Sequence, residues 1–268
     1  MSTIIGSNAG LEDLQKALKR LPLAFYFAWS DTKARSKRSA LGPFWMVLST
    51  LVGVVGLGLD RSTLLKVDRA EFMPSLTIGL IVWQMISGCL SEAPALFSRQ
   101  AAQIKNINMP SFLISIQLVM RNLINFAHNL LVFLLVVAVY PEHVNLTIAG
   151  GAEFLFGLVL LVINLVWVTQ MVGYLGARYR DLEPLVTSSL PILFFLSPVI
   201  YRTKQLGALE TIMGFNPIAY WIAIVRDPVL GVAPELWVYG VALATTALGW
   251  TLTLWLTATR RRRLPYWL

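Results

Sequence analysis

The sequence predicts an all-α membrane protein that crosses the lipid bilayer six times. Three observations lead to this prediction. Hydrophobic residues make up 56% of the 268 positions, and charged residues make up only 13%. The mean hydropathy is +0.66, and the apolar residues are grouped into long runs. An ordinary globular domain is less apolar and carries about twice this share of charged residues.

The first 40 residues predict a cytosolic amphipathic segment at the membrane surface. The chain opens with polar and charged residues, where a cleavable secretory signal would be apolar. Residues 11–21 place leucines on one helical face and charged residues opposite, and Pro22 follows. Because proline cannot continue a helix, we expect this interface helix to end there. The leucines of this face are Leu11, Leu14, Leu18 and Leu21.

Six apolar runs account for the predicted crossings. Five of them hold enough residues to span about 30 Å of hydrocarbon at about 1.5 Å per residue. A sixth run, residues 185–201, would extend only about 25 Å as a helix. Its Pro191 and Pro198 fit either a kinked packing helix or a helix that faces a wet pathway. The five longer runs are residues 41–59, 75–97, 112–140, 152–176 and 236–259.

The basic residues favour an even number of crossings. With six crossings and the amino terminus inside, 15 Lys and Arg fall on the inner side and six on the outer side. This distribution follows the positive-inside rule. If the proline-containing run failed to cross, the arginines at 260–263 would lie outside. We therefore expect both termini in the cytosol, with an interface segment at 1–40, a six-span domain at 41–259 and a basic cytosolic tail at 260–268.

A short apolar stretch, "NPIAYWIAIV", lies between the last two predicted spans at residues 216–225. Its apolar part would extend only about 14 Å as a helix, which is too short to span. A re-entrant helix that lines the external mouth of an opening fits this stretch. A flat interfacial helix anchored by Tyr220 and Trp221 fits it equally well.

The third predicted span carries a polar face about three turns long. A wall of a hydrophilic passage and a set of contacts between helices both fit this face. For Gln117 and Arg121 we favour a cytosolic extension of the helix, and for the last three positions of the face both interpretations stay open. The face consists of Gln117, Arg121, Asn122, Asn125, His128 and Asn129.

The sequence contains no motif for catalysis or for nucleotide binding. It has no Gly-Lys pair, and therefore no P-loop, and it lacks the Gly-x-Ser-x-Gly, His-Glu-x-x-His and Cys-x-x-Cys patterns. A single cysteine, Cys89, excludes an internal disulfide. Only Glu92 and Glu153 fall inside predicted spans, near opposite ends. We expect a non-catalytic protein that binds no metal or cofactor and depends on a partner for energy.

Six stretches occur in a fixed order along the chain: "RSKRSALGPFW", "GLIVWQMISGCLSE", "QIKNINMP", "ARYRDLEPLV", "SPVIY" and "NPIAYWIAIVRDPVLG". Together they resemble the membrane permease of type-2 ABC exporters, which move O-antigen and related lipid-linked polysaccharides. The resemblance covers almost the whole chain. One departure is "KNINMP" before the third span, where the family pattern would be "KKxxFP", so the docking contacts of this loop are expected to differ.

The resemblance implies a bacterial inner-membrane protein with six spans, an interface helix and re-entrant helices around residues 205–225. It implies two copies of this chain and two copies of a cytosolic ATPase subunit, which would bind ATP and Mg. The implied partners are a lipid-linked polysaccharide and membrane lipids, and no nucleic acid is expected. The residues implied at the ATPase interface are Arg35, Arg38, Arg99, Lys105, Asn106 and Pro110.

Aromatic residues along the sugar path are a further implication of the resemblance. Interfacial anchoring is the competing interpretation for each of these rings. An exporter of a drug or small lipid with the same fold, and a membrane-embedded glycosyl- or phosphotransferase, are the alternative functions. The residues that we expect along the path are Phe194, Phe195, Tyr201, Tyr220 and Trp221, together with Asn125 and His128.

Overall fold

The computed structural model describes residues 9–37, 39, 41–42, 44–65, 69–107, 109–141, 144, 147–200 and 214–268. All regular secondary structure within these residues is helical, which confirms the all-α part of the prediction. In chain order the main helices are α1 Ala9–Leu18, α2 Leu21–Ser36, α3 Phe44–Leu65, α4 Arg69–Glu92, α5 Leu96–Arg99, α6 Ala101–Ile107, α7 Ser111–Val139, α8 Ile148–Arg178, α9 Leu182–Phe195, α10 Pro217–Val229 and α11 Leu236–Arg260. A 3₁₀ turn, Arg261–Arg263, and a last short helix, α12 Leu264–Trp267, follow.

Four of the described helices are long and apolar enough to cross a membrane. Two further apolar helices, Phe44–Gly58 and Leu182–Phe195, are shorter. These six helices follow the order of the six predicted apolar runs. The four long candidates are Ala70–Glu92, Ser111–Val139, Ile148–Arg178 and Leu236–Trp267.

The amino-terminal segment forms two helices where the sequence predicted one. Helix α1 ends at Leu18, and Pro22 lies in the first turn of α2. The prediction that Pro22 ends a helix was therefore wrong, because proline is well tolerated in a first turn, where its missing N–H would have no partner. Leu11 and Leu18 are exposed, so the face that α1 turns to the protein is a different one. That buried face consists of Gly10, Asp13 and Ala17.

Helix α9 is shorter than the apolar run that contains it. It ends at Phe195 after about 21 Å, and residues 196–199 form turns. Of the two prolines, only Pro191 lies inside a helix. The carbonyl of Phe194, four residues before Pro198, accepts from the amide of Ser197 at 3.3 Å. Tyr201 and the stretch 201–213 lie outside the described residues.

Helix α10 is packed inside the protein and does not lie flat on its surface. Trp221 is only 4% exposed, so it does not reach outward as an interfacial anchor. A Cβ added at Gly157 of α8 would collide with the carbonyl of Ile224, and one at Gly150 would lie 2.8 Å from the carbonyl oxygen of Pro228. The two helices are therefore antiparallel and in close contact. The carboxyl end of α10 lies beside the amino-terminal end of α8.

The segment after α11, which the sequence predicts as a basic tail, folds back onto the protein. Leu264 is buried in a small apolar cluster with Phe97, Ile104 and Tyr174. The Arg178 guanidinium lies 5.8 Å from the ring centroid of Trp267. The carboxyl-terminal residues thus support the short helices α5 and α6, which form the loop between α4 and α7.

Candidate functional site

Glu92, the last residue of α4, is contacted by three arginines. Its Oε2 lies 2.6 Å from Arg121 Nη2, 3.2 Å from Arg35 Nη2 and 3.8 Å from Arg99 Nη1. A carboxylate at a helix carboxyl terminus is unfavourable beside the negative end of the helix dipole. The three guanidinium groups offset this effect. They come from α7, α2 and α5, so a single carboxylate connects three other helices to α4.

Two further acids complete this group of charges. Arg99 Nη2 lies 3.0 Å from Glu183 Oε1 in the first turn of α9. Gln117 of α7 donates to Asp31 Oδ2 of α2 at 2.8 Å. Three cations and three anions are therefore gathered from five helices. We call this group the Glu92 cluster, and its members are Asp31, Arg35, Glu92, Arg99, Arg121 and Glu183.

The Arg121–Glu92 pair is the least exposed contact in the cluster. The side chain of Arg121 is 11% exposed and that of Glu92 is 24% exposed. The side chains of Arg35 and Arg99 are more than half exposed. Exposed ion pairs contribute little because water and salt screen them, whereas a mostly buried pair is costly to break. Arg35 and Arg99 can therefore exchange partners at low cost around a fixed Arg121–Glu92 pair.

Three adjoining cavities lead from the cluster along the polar face of α7. A 290 Å³ cavity contains Glu92, Arg35 and Arg121. It shares both arginines with a 280 Å³ cavity. That cavity shares Met46 and Asn125 with a 220 Å³ cavity, which reaches Asn129. A polar track therefore extends from Arg121 to Asn129, a distance of about 12 Å along the helix.

The polar face of α7 serves partly for packing and partly to line this track. Asn129 donates to Gln84 Oε1 of α4 at 3.0 Å, and Thr50 Oγ1 of α3 lies 3.1 Å from Asn129 Oδ1. Asn122 donates to the carbonyl of Leu118 at 3.0 Å. Asn125 lines two of the cavities, whereas His128 Nδ1 lies 2.8 Å from the carbonyl oxygen of Ile124 and lines none of the three.

The residues predicted at the ATPase interface occupy different environments. Arg35 and Arg99 belong to the Glu92 cluster, and Lys105 and Asn106 are exposed on α6. Pro110 is buried directly before α7. Arg38 lies outside the described residues. Lys105 and Asn106 are thus accessible to a partner. A partner would act on Pro110 only indirectly, through the residues that surround it.

The described aromatic residues among those predicted along the sugar path occupy different environments. Phe194 packs against Trp83 with ring centroids 5.5 Å apart, and Phe195 is exposed at the end of α9. Trp221 donates to Thr245 Oγ1 at 3.2 Å in the interior. Tyr220 of α10 contacts Trp237, at the start of α11, in an edge-to-face arrangement.

Two parts of the structure have no counterpart in the sequence predictions. The position of Glu92 inside a span was apparent, but its three partners were not. Asp13 was assigned to the charged face of an interface helix, yet its carboxylate is fully buried. A signal for Asp13 was present, since Gly10, Asp13 and Ala17 recur at helical spacing and are small enough for a close helix contact.

A helical protein with several spans, without a catalytic motif and with an ionic cluster where its helices meet, is typical of the membrane subunit of a transporter. Residues 23–230 match the family model for the ABC-2 type transporter, and the chain belongs to this family. The O-antigen export system permease protein RfbA of Klebsiella pneumoniae is 25% identical over 199 residues, which cover 74% of this chain and 76% of that protein. The RfbA of Myxococcus xanthus is 23% identical over 194 residues, or 70% and 72% of the two chains. A second Klebsiella pneumoniae RfbA is 23% identical over 202 residues, or 74% and 76%.

Proposed function

We propose that this chain is the permease subunit of an exporter that moves a lipid-linked polysaccharide across the bacterial inner membrane. The family match over residues 23–230 carries this proposal, and the names of all three relatives refer to O-antigen export. A separate ATPase subunit, present in two copies, would bind ATP and Mg and drive two copies of this permease. The chain itself would bind no cofactor and carry out no catalysis.

The contacts of the Glu92 cluster support six net crossings. Arg35 precedes α3 and Glu92 ends α4, so their ion pair brings the chain back to one face after two helices. Because α4 crosses, α3 has to cross as well. Helix α7 starts at this face through Gln117 and Arg121, and α8 returns to it near Glu183. For α11 to cross the membrane back to this face, the chain has to cross once between residues 183 and 235.

Helices α9 and α10 are suited to make that crossing as two half-length helices. Asn216, just before α10, donates to the carbonyl of Leu196 and to Ser197 Oγ just after α9, at 3.2 and 3.0 Å. Each helix extends about 20 Å, so neither spans alone. We propose that α9 runs from the inner face to the middle of the membrane and that α10 runs from there to the outer face. Residues 1–40 would form the cytosolic interface segment, 41–259 the six-span domain and 260–268 the cytosolic tail.

The Glu92 cluster is the proposed coupling element. An ATPase that docks on Arg99, Lys105, Asn106 and Pro110, with help from Arg35 and Arg38, would contact the loop between α4 and α7. Movement of this loop changes the contacts of Arg99, and Glu92 links those contacts to α2 and α7. Exposed arginines that share one carboxylate exchange partners at small cost. Such an exchange would move the interface helix relative to the spans.

Substitution of Glu92 by Gln tests this coupling. The amide keeps the shape of the side chain but removes the charge that Arg121 needs in a mostly buried position. We expect normal insertion and ATPase binding, export reduced by about tenfold or more, and ATP hydrolysis that no longer depends on substrate. The measurements are glycan export in cells and ATPase activity of the purified complex. Glu153→Gln, a carboxylate inside a span but outside the cluster, is the matched control.

Deletion of the protein tests the substrate class. Cells without it should retain undecaprenyl-linked glycan on the cytosolic side, and the permease gene should restore export. An exporter of drugs or small lipids would leave the glycan lipid pool unchanged. Wild-type export in the Glu92→Gln variant, by contrast, would contradict only the proposed coupling role of the cluster.

A further inference from the structure

A cavity lies at the opposite end of the protein from the Glu92 cluster. It occupies 310 Å³ between α10 and the start of α11, within the range of small-ligand sites. Pro228 at one wall lies beside Gly150, near the start of α8, whereas Glu183 of the cluster follows the end of α8. Helix α8 has 31 residues and extends about 46 Å, so the two sites are on opposite faces of the membrane.

Two aromatic rings form one wall of this cavity. The centroids of Tyr220 and Trp237 are 5.4 Å apart and their planes are inclined by 78°. Tyr220 donates its hydroxyl proton to the carbonyl of Gly214 at 2.7 Å, and Trp237 donates its Nε1–H to Glu235. Both rings are therefore held in position, while Trp237 remains 55% exposed. A fixed and accessible ring of this kind offers an apolar surface with a polar edge.

Two carboxylates lie next to these rings. Asp227 Oδ1 accepts from Arg226 Nε at 2.8 Å, and Glu235 Oε2 accepts from Trp237. The second oxygen of each carboxylate has no hydrogen-bond donor among the described residues. An ionised carboxylate is purely an acceptor, so these oxygens suit hydroxyl or ammonium donors.

Arg226, the one cation among the described residues that line the cavity, is already paired. Arg226 is only 4% exposed, and it donates to Asp227 and to the carbonyl of Pro198. Its charge is therefore compensated inside the wall, and the described residues that face a ligand make an acidic surface. A ligand with its own carboxylate would meet repulsion from Asp227 and Glu235. A ligand with hydroxyl or amino groups would meet hydrogen-bond acceptors.

We propose that this cavity is an outer binding site for a neutral or amino sugar unit of the exported glycan and that it disfavours acidic sugars. The apolar face of a sugar ring would stack on Trp237, and its hydroxyl groups would donate to Asp227 and Glu235. This inference rests on the proposed polysaccharide export and adds the charge class of the substrate. It assigns a role to Trp237, Asp227 and Glu235, for which no role was predicted from the sequence.

Binding of three matched oligosaccharides tests the site. The probes are maltoheptaose, a chitosan heptamer and a heptamer of galacturonic acid, each titrated against the full-length protein in lipid nanodiscs. We expect the neutral and amino probes to bind about tenfold more tightly than the acidic probe. Trp237→Ala should weaken binding of the two preferred probes by about tenfold. Glu235→Gln should bring the acidic probe closer to the neutral one.

Trp255→Ala is the matched control, because Trp255 is an exposed tryptophan on the same helix, away from the cavity. It should leave all three affinities unchanged. Equal binding of the acidic probe would overturn the proposed selectivity. If Trp237→Ala lowers thermal stability in nanodiscs but changes no affinity, the ring is a membrane anchor and the site does not exist.

Glycan export by the same variants separates this inference from the proposed function. If the unaltered protein exports glycan but Trp237→Ala leaves probe affinity unchanged, the proposed site is wrong and the proposed export function stands. If no glycan is exported but the probes bind selectively, the proposed export function is wrong and the proposed site stands.

Discussion

Asp13 is a fully buried carboxylate that ties α1 to two distant parts of the chain. Its Oδ2 accepts from Ser111 Oγ at 2.9 Å and from the amide of Phe112 at 3.0 Å, in the first turn of α7. Its Oδ1 lies 3.1 Å from Arg261 Nε. A carboxylate at this position satisfies the amide of Phe112, which has no partner inside α7, and interacts favourably with the helix dipole.

The residues around Ser111 extend this contact into the protein interior. Gln170 of α8 donates to Ser111 Oγ at 2.8 Å and accepts from Ser115 at 2.6 Å. The hydroxyl of Tyr174 lies 3.1 Å from Ser111 Oγ. Buried polar networks of this kind are stable only when their members are satisfied, so loss of one member affects the others.

Replacement of Asp13 by Ala is expected to destabilise the protein. The change leaves Arg261 and the first turn of α7 without their partner, which costs about 3 kcal/mol. For a chain of this size the unfolding midpoint should fall by about 5 °C. The measurement is thermal unfolding of the purified protein in detergent, with protease cleavage of α1 as a second readout.

Glu12→Gln is the matched control for Asp13→Ala. Glu12 is the neighbouring acid, and its ion pair with Lys16 is long, at 3.9 Å, and exposed. Exposed pairs of this type contribute less than about 0.5 kcal/mol, so the midpoint should not move. Equal midpoints for both variants would show that the buried contacts of Asp13 do not hold α1 in place.

At the scale of helices, glycines in α8 allow α10 to pack against it at backbone distance. Gly150 and Gly157 face the backbone of α10, whereas Gly151, between them in sequence, has no neighbour within 4 Å of an added Cβ. Small residues at a helix interface let two backbones approach closely, and this is a common way of packing helices in membranes. The short helix α10 thereby replaces lipid contacts with protein contacts.

Gly157→Ala is expected to loosen α10. The new Cβ would collide with the carbonyl group of Ile224, and neither backbone can turn away as a flexible side chain would. We expect a lower unfolding midpoint and trypsin cleavage after Arg226, which is buried in the packed helix. Gly151→Ala should be neutral or slightly stabilising, because alanine favours a helix by about 1 kcal/mol over glycine. Trypsin resistance in both variants would argue against a close contact between α8 and α10.

The sequence allowed the helices to be predicted better than their contacts. Apolar length was sufficient to predict α4, α7, α8 and α11, because a span requires a long uninterrupted run. Proline was ambiguous, since Pro22 begins a helix, Pro191 lies within one and Pro198 follows the end of one. The partners of Glu92 were not predictable, because Arg35 lies 57 positions away and pairing depends on how the helices fold together.

At the scale of the whole molecule, both described ends of the chain lie at one face. Asp13 near the start and Arg261 near the end are joined by an ion pair, and Asp13 also accepts from Ser111 at the beginning of α7. Two points at the same face require an even number of crossings between them. In the proposed topology the cavity beside Trp237 lies at the other face, and α11 runs from one side of the membrane to the other.

Labelling of single cysteines tests this arrangement. Helix α11 has 25 residues and extends about 37 Å, which exceeds the thickness of the hydrocarbon core, so residues 233 and 266 should lie on opposite sides. Cys89 is buried and should stay unreactive, so the natural protein serves as the background. In intact spheroplasts an impermeant maleimide should label Ala233→Cys, and it should label Tyr266→Cys and Ala102→Cys only after permeabilisation. Labelling of Tyr266→Cys from outside would contradict an even number of crossings with cytosolic ends, because the ion pair between Asp13 and Arg261 would then hold both ends at the external face.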